Sequence, residues 1–384
     1  MDVFDAIRID PQVEELTRRL ATARGAVAAE GLWGSSAPIL AALVAERLNR
    51  PLLLVAGHSD DADDYRDDIE TVLGVAPDLL PQLDEMSDAD DAANELAGER
   101  LRLCLSHVGT WEGGNVRTAT PPTARAVADR SRVPTIPRSH VVAPILALMQ
   151  PVPSAETLAA SSRDVQVGQT LGPDSLTDWL SRHGFRRGDA VQEPGDFARR
   201  GGIVDVFSRA QTDPVRIEFF DDAVESIRLF DLATQRSSQP LQGVQIPGVS
   251  GTSGTGAQDC YLSLLPVDTL VALHEPTEIQ ELGRTFWHRL GEEAGLLSVE
   301  TVLRRARDFT QLHLHCFNST LQDVVRLPVT SLPQFEAKTP DALRALGELS
   351  QTASVVVLCD NRAEEKRFQE LLNQSAGEDR KSVV

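Results

Sequence analysis

The sequence predicts an α/β protein in which a parallel-sheet domain carries an inserted α+β domain and is followed by a further small α/β domain. With 384 residues, the chain is too long for a single compact core. Strand-like and helical patterns alternate through the first 73 residues, which is typical of a parallel sheet. Residues 202–230 instead alternate apolar and polar side chains between turns, which predicts antiparallel strands. Near the end, an apolar strand pattern at residues 354–360 precedes a helical pattern at residues 363–372.

The first domain begins with a strand pattern at residues 26–30 and a glycine-containing turn. Ser36 is the predicted N-cap of the next helix, and Pro38 suits its first turn, where a missing N–H does no harm. The continuous apolar run at residues 51–56 is typical of a parallel strand buried on both faces. A helix at residues 61–73 follows, and this order predicts right-handed βαβ units.

The inserted domain begins with a predicted helix at residues 175–183. Three predicted strands then form an antiparallel meander: residues 202–207, 215–220 and 224–230. In the middle strand Val215, Ile217 and Phe219 face one side, whereas Arg216 and Glu218 face the other. This alternation indicates a sheet with one buried face and one face in water.

The later part of the chain continues the α/β pattern. Strands are predicted at residues 261–265 and 270–273, and a helix at residues 279–290. Residues 110–138 and 249–256 are rich in glycine, proline, serine or threonine, and we predict a surface loop and a flexible linker there.

The charge balance argues against a nucleic-acid-binding protein. The net charge is −20, whereas a chain that neutralises many phosphates is basic on at least one face, so direct DNA binding is not expected. Acidic runs at residues 60–70 and 84–99 are interpreted as solvated helix faces. Neither a signal peptide nor an apolar run of about 18 residues is evident, and we expect a cytoplasmic protein that does not bind a membrane.

The cysteines do not predict a disulfide framework or a zinc site. Four are present, far apart and without a CxxC pair: Cys104, Cys260, Cys316 and Cys359. His313, His315 and Cys316 are close enough in sequence to ligate a metal, but their spacing favours the polar face of a strand, and no fourth ligand is evident nearby. We therefore expect no metal ligand and no cofactor in this chain.

The glycine-rich turn after the first strand has lost the chemistry of a nucleotide-binding loop. When Gly-x-x-x-x-Gly-Lys-Ser/Thr is laid over residues 31–38, which include Gly31 and Gly34, Ala37 stands in place of the phosphate-binding lysine and Pro38 in place of the Mg²⁺-binding hydroxyl. None of the three lysines, Lys338, Lys366 and Lys381, follows a glycine. The sequence thus predicts a degenerate P-loop, and the chain is not expected to hydrolyse ATP.

Several segments resemble the shared N-terminal architecture of UvrB and the bacterial transcription-repair coupling factors (Mfd). The most specific are residues 199–207, 215–222, 225–231 and 234–237, which are similar to the inserted domain through which those families bind UvrA. Residues 142–151 resemble the segment that leads into this insertion. The chain is thereby identified as similar to the N-terminal region of a coupling factor, with its UvrB-homology module and the following domain.

The resemblance implies a function and its partners. It implies a non-catalytic adaptor that recruits UvrA and so couples stalled transcription to nucleotide excision repair. Elsewhere in the family, a translocase motor that uses ATP and Mg²⁺ and a domain that binds RNA polymerase lie in other regions of the chain. The alternative is a UvrB-like helicase fragment that contacts damaged DNA when it is joined to a motor.

The candidate partner-binding residues lie in an arginine-rich segment, residues 182–200. From charge alone, surface ion pairs, each contributing about 0–1 kcal/mol, are the favoured explanation of these arginines. The resemblance assigns the UvrA contact to five residues: Arg186, Arg187, Arg200, Gly201 and Val204. Ala198 departs from the pattern, since UvrB-like sequences tend to place another arginine there.

These patterns divide the chain into four predicted segments. They are residues 1–152, a degenerate nucleotide-binding-like α/β domain; 153–245, the UvrA-interaction domain; 246–330, the return segment of the first domain with connecting helices; and 331–384, a small α/β domain that we expect to be truncated.

Overall fold

The structure is a computed structural model that describes residues 4–83, 91–107, 140–211, 213–248, 258–290, 295–330, 338–353, 355, 357, 359 and 361–379. It divides into two compact units, one formed by residues 11–327 and the other by residues 1–10 with residues 328–384.

The strands of the larger unit alternate with its helices in the first domain and follow one another in the inserted domain. They are β1 (Ala26–Glu30), β2 (Leu52–Ala56), β3 (Asp78–Leu79), β4 (Val141–Pro144), β5 (Val152–Pro153), β6 (Ser162–Gln166), β7 (Arg186–Gly188), β8 (Asp196–Arg200), β9 (Ile203–Val206), β10 (Val215–Phe220), β11 (Ala223–Phe230), β12 (Ser237–Leu241), β13 (Gly243–Pro247), β14 (Gln258–Asp259), β15 (Leu270–His274), β16 (Thr310–His315) and β17 (Val324–Arg326).

Helices occur in both units. They are α1 (Asp5–Arg8), α2 (Pro11–Thr22), α3 (Ser36–Leu48), α4 (Ser59–Leu73), α5 (Asp91–His107), α6 (Ile145–Met149), α7 (Ala155–Ala160), α8 (Pro173–Arg182), α9 (Pro276–Leu290), α10 (Val299–Ala306), α11 (Thr339–Ser350) and α12 (Arg362–Asp379). Among the residues described, no helix combines the length and apolar character that crossing a membrane requires.

The first domain is built on a seven-stranded sheet of order β17-β1-β16-β15-β2-β4-β3. Every neighbouring pair in it is parallel. The central strands are buried on both faces, as the apolar run at residues 51–56 predicts. One face packs on α5, α6, α9 and α10, while α2, α3 and α4 contact the sheet on the other side. Because β15 and β16 lie between β1 and β2, residues that follow the inserted domain complete the centre of this sheet.

The inserted domain has a six-stranded sheet of order β12-β11-β10-β9-β8-β7. Its β9-β10-β11 part is the predicted antiparallel meander, and the helix predicted at residues 175–183 is α8. Side chains from one face of this sheet form a core with α8, including Phe197, Val204 and Ile217. The other face carries Arg216 and Glu218, so the predicted division into a buried and a wet face is confirmed. The α/β fold class as a whole is confirmed as well.

The smaller unit contains α1, α11 and α12. The helix predicted at residues 363–372 is confirmed as the first part of α12. Residues 354, 356, 358 and 360 of the strand predicted at 354–360 lie outside the described part, so that strand stays a prediction.

Two local predictions are wrong for physical reasons. Residues 261–265 are not a strand, since Tyr261–Leu264 form a 3-10 turn in which the N–H of Ser263 bonds to the carbonyl of Cys260. A short apolar run has the same sequence pattern in a buried strand and in a buried turn, so the pattern does not distinguish the two. Ser36 is not the N-cap of α3 but its first residue, because its hydroxyl bonds to the backbone of Trp33 and so closes the preceding loop.

Other predicted segments are only partly described. The acidic run at residues 60–70 lies on α4, and its aspartates 60, 63, 64 and 67 are exposed, which confirms a solvated helix face. The predicted loop at residues 110–138 and residues 249–256 of the predicted linker lie outside the described residues, as do residues 84–90 of the second acidic run.

Candidate interaction surface

A tight turn between β8 and β9 places the candidate arginine at the end of the inserted sheet. Arg200 pairs with Ile203, so the turn contains only Gly201 and Gly202. Gly201 has φ +60°, which L side chains rarely adopt, and a Cβ on Gly202 would come within 3.0 Å of the carbonyl oxygen of Phe219. The Gly-Gly sequence therefore permits this turn and presents Arg200 at its exposed edge.

The candidate arginines lie on both faces of the β7–β8 pair, not on one. Within the parallel β7–β8 pair, Arg186 lies beside Asp196 and Arg187 beside Phe197. Because side chains along a strand point alternately to the two faces, Arg186 shares the wet face with Arg200. Arg187 lies on the face that carries Phe197 and the core.

Two of the arginines in this segment form ion pairs with carboxylates of the same chain. Arg186 contacts Glu193 at 2.8 Å and Asp196 at 3.0 Å, and the hydrogen bond to Glu193 raises the pKa of Arg186 above its usual value. Arg199 is bonded to Asp174 on α8. Arg186 and Arg199 therefore form surface ion pairs of the kind that the charge pattern alone predicts.

Arg200 and Arg187 are different, since neither forms an ion pair within the part of the chain that the structure describes. Arg200 is exposed, and its Nε and Nη2 donate only to the carbonyl oxygen of Asp189, at 3.3 and 3.1 Å. Arg187 is exposed as well. Their guanidinium groups thus keep the capacity to bind a carboxylate of another molecule.

An exposed aromatic side chain lies next to the β8–β9 turn. Phe220, at the end of β10, is 70% exposed, and the N–H of its neighbour Phe219 donates to the carbonyl of Gly202 at 2.8 Å. Phe220 was not among the residues predicted from the sequence. The signal was nevertheless present, because the alternation that puts Arg216 and Glu218 on the wet face also puts Phe220 there.

The wet face is held in place by a bidentate ion pair. Arg216 donates from Nε and Nη2 to the two carboxylate oxygens of Asp205, at 2.7 and 2.8 Å. This hydrogen bonding raises the pKa of Arg216, and its guanidinium lies 4.7 Å from the ring centre of Phe230. The buried Asp205 is therefore paired, and the strands beside Arg200 are fixed relative to one another.

Val204 and Ala198 do not belong to the exposed surface. Val204 is fully buried in the core with Phe197 and Ile217, so its side chain has no area to offer a partner. Ala198 is 1% exposed and packs in a small cluster with Phe207 and Phe230. An arginine at position 198 would have to displace that cluster, which explains the departure from the UvrB-like pattern in this chain.

Of the predicted degenerate P-loop positions, Gly31 and Gly34 lie between β1 and α3, whereas Ala37 and Pro38 lie in the first turn of α3. Gly31 has φ +84°, and a Cβ there would come within 2.5 Å of the carbonyl oxygen of Leu327. The N–H of Leu32 donates to His315 O at 3.0 Å, and that of Trp33 to Ser36 Oγ at 2.8 Å. These loop amides are thus bonded within the protein.

The remaining predicted positions carry neither a lysine nor a side-chain hydroxyl. Gly34 has φ +53°, and Ala37 and Pro38, which stand at the lysine and hydroxyl positions, are buried in the first turn of α3.

The inserted sheet with its arginine-bearing edge defines a recognisable class of interaction domain. Residues 164–250 match the family described as the UvrB interaction domain. The chain is also similar to curated proteins called transcription-repair-coupling factor. The protein from Bacillus subtilis (strain 168) is 30% identical over 218 residues, which cover 56% of this chain and 16% of that protein.

Two further relatives carry the same name. The protein of Escherichia coli (strain K12) is 33% identical over 115 residues, which cover 30% of this chain and 10% of that protein. The protein of Myxococcus xanthus is 31% identical over 227 residues, which cover 57% of this chain and 17% of that protein. The matches thus span less than a fifth of each of these relatives. The resemblance predicted from the sequence, to the N-terminal region of a bacterial transcription-repair coupling factor, is confirmed.

Proposed function

We propose that this chain is a non-catalytic adaptor whose inserted domain binds UvrA and thereby links stalled transcription to nucleotide excision repair. The observation that carries the proposal is the exposed surface formed by Arg200, Gly201 and Phe220 at the β8–β9 turn, here called the turn surface. It lies within residues 164–250, the segment that matches the UvrB interaction domain.

The chemistry of the turn surface suits a protein partner. Arginine and aromatic residues are over-represented among the side chains that contribute most to binding at protein interfaces. Arg200 has no carboxylate partner within the described residues, so a bidentate contact with an acidic group of UvrA costs no existing ion pair. Arg187 lies on the opposite face of the edge strand, and we place it at the margin of the contact, with Arg186.

The adaptor function does not require nucleotide chemistry in this chain. The N–H groups of Leu32 and Trp33 are bonded internally, and Ala37 and Pro38 supply neither a cation nor a Mg²⁺ ligand. We infer that the chain does not use ATP and Mg²⁺. Saturable binding of ATP–Mg²⁺ to the purified chain would contradict this inference.

We assign any motor activity and any contact with RNA polymerase to other parts of the longer relatives. The matches to those relatives cover at most 17% of their length in the three proteins compared. The net charge of −20 gives no reason to assign DNA binding to this chain.

The proposal is tested by titrating UvrA with the full chain and following binding by calorimetry. We expect Arg200→Ala to weaken binding by about 1–4 kcal/mol, as truncation of an interface arginine can, and Phe220→Ala to weaken it by at least about 1 kcal/mol. Both side chains are exposed, so circular dichroism should show unchanged folding.

Arg182→Ala is the matched control, because Arg182 is an exposed arginine of the same domain that lies on α8, against the opposite face of the sheet. It should change the affinity by less than about 0.5 kcal/mol. Equal affinities for the wild type, Arg200→Ala and Phe220→Ala would exclude the turn surface. Absence of wild-type binding would exclude the adaptor function itself.

A further inference from the structure

Two neighbouring strand ends bring potential metal ligands together in the first domain. His274 is the last residue of β15 and Glu275 follows it, while Cys316 follows β16. These strands are parallel and adjacent, so their carboxyl ends meet at the same edge of the sheet. This is the edge at which open α/β sheets bind their ligands.

The three side chains are close enough to share one ion. A ring nitrogen of His274, a carboxylate oxygen of Glu275 and Sγ of Cys316 all lie within 4.8 Å of one another. Glu275 has φ +50°, and its Oε1 accepts a hydrogen bond from the backbone N–H of Cys316 at 2.6 Å. This bond ties the two strand ends together and directs the carboxylate toward Cys316.

The histidine is arranged as metal-bound histidines usually are. Its Nδ1 is hydrogen-bonded to the hydroxyl of Tyr65, whereas its Nε2 is buried and has no hydrogen-bond partner among the described residues. A ligating histidine typically bonds its second ring nitrogen to an oxygen, which fixes the tautomer and the ring orientation. The hydrogen bond to Tyr65 thus occupies Nδ1 and orients the ring, so Nε2 is the ring nitrogen left for a ligand.

We propose that His274, Glu275 and Cys316 form a binding site for a divalent cation of the zinc class. Imidazole, thiolate and carboxylate are the ligands that zinc takes, and three protein ligands leave a fourth tetrahedral position for water. Mg²⁺ and Ca²⁺ prefer a shell of oxygens and fit this set less well. A thiolate ligand requires that the thiol proton of Cys316 is released to solvent when the cation binds.

The proposed ligands differ from the group considered in the sequence. His313 and His315 share the polar face of β16, as predicted, but Nε2 of His313 bonds to the side chain of Gln311 at 2.9 Å. The further ligands that the sequence does not show near Cys316 come from the end of β15. Glu275 lies 41 residues before Cys316 in the chain, and the two residues are brought together because β15 and β16 are neighbours in the sheet. The proposal therefore departs from the expectation, drawn from the sequence, that the chain has no metal ligand.

Cobalt(II), a spectroscopic substitute for zinc, tests the proposal on the metal-free full chain. We expect one equivalent to bind, with the absorption bands of tetrahedral cobalt and a thiolate-to-cobalt charge-transfer band, and zinc to displace it. Cys316→Ser should abolish the charge-transfer band, and His274→Gln should abolish stoichiometric binding. Tyr65→Phe, which removes only the partner of His274, should weaken binding by about 10–100-fold.

Two variants serve as matched controls. Cys359→Ser removes a partly exposed cysteine of the other unit, and His313→Gln removes a histidine of the same strand, so both should bind cobalt like the wild type. A wild-type chain that binds no equivalent of cobalt would overturn the proposal. So would a charge-transfer band that survives Cys316→Ser or is lost in Cys359→Ser.

Discussion

At the residue scale, the structure assigns different roles to arginines that are adjacent in the sequence. Arg199 and Arg200 point to opposite faces of β8, and α8 supplies Asp174 to Arg199 alone. Alternation along a strand could predict that the two side chains diverge. Which of them lacks a carboxylate partner among the described residues could not be predicted, because Asp174 is 25 residues away in sequence and is brought near only by the packing of α8.

A second residue-scale feature is the partly buried His107 at the end of α5. Its Nε2 lies 2.9 Å from the hydroxyl of Tyr261, which is fully buried. Burial lowers the pKa of His107 from 6.5 to about 4. The folded chain thus keeps this imidazole neutral at pH values at which the unfolded chain protonates it.

We predict that His107 makes the larger unit less stable as the pH falls. Between pH 7 and pH 5 the unfolded state takes up a proton at this position and the folded state does not, so stability declines, here by about 1–2 kcal/mol. Urea denaturation at the two pH values measures the decline, which should be smaller by this amount in His107→Gln. The exposed His288 on α9 provides the control, since His288→Gln should decline as the wild type does. An equal decline in His107→Gln would show that this histidine is not the cause.

At the element scale, helix packing depends on single positions that the helical pattern does not reveal. α9 packs on α6 and α10, and Gly283 lies at this contact. A Cβ on Gly283 would come within 2.6 Å of both Cβ and Cγ2 of Val299, and within 3.3 Å of the sulfur of Met149. The glycine is therefore required by the close approach of the helices and not by helix propensity.

We predict opposite effects for two glycine-to-alanine substitutions in helices. Gly283→Ala should destabilise the larger unit by about 1–3 kcal/mol, because overpacking outweighs the gain of about 1 kcal/mol in helix propensity. Gly347→Ala, in α11, should stabilise its own unit by about 0.5–1 kcal/mol, since no heavy atom lies within 4 Å of the added Cβ. Thermal unfolding followed by circular dichroism distinguishes the two. Stabilisation by Gly283→Ala would mean that α9 and α10 can separate at little cost.

At the scale of the whole larger unit, the inserted domain is joined to the first domain through two adjacent strands. β6 and β13 pair antiparallel, with Ser162 beside Pro247, and the N–H of Gly248 bonds to the carbonyl of Ser161 at 2.8 Å. The domain also has a core of its own between its sheet and α8. Adjacent ends and a separate core are the properties of a segment that can fold alone.

We predict that residues 161–248, expressed alone, fold cooperatively. Urea should unfold this fragment in a single transition, and Phe197→Ala, at a fully buried position, should lower its free energy of unfolding by about 3–5 kcal/mol. Circular dichroism and tryptophan fluorescence from Trp179 should report the same midpoint. A gradual transition, or one that Phe197→Ala leaves unchanged, would show that the first domain is needed to order this sheet.

The sequence by itself determined the α/β fold class, the helices and strands with the clearest periodicity, and the residue types at positions 37 and 38, where a P-loop would carry a lysine and a hydroxyl. These depend on local periodicity, turn residues and the identity of single side chains, all of which can be read along the chain. The tertiary structure alone decided that β15 and β16 enter the centre of the first sheet, and so brought His274 to Cys316. It also decided that Val204 is buried while Arg200 and Phe220 are exposed beside one turn. The physical reason is that strand order and face-to-face packing depend on contacts between residues far apart in the chain, which no local pattern records.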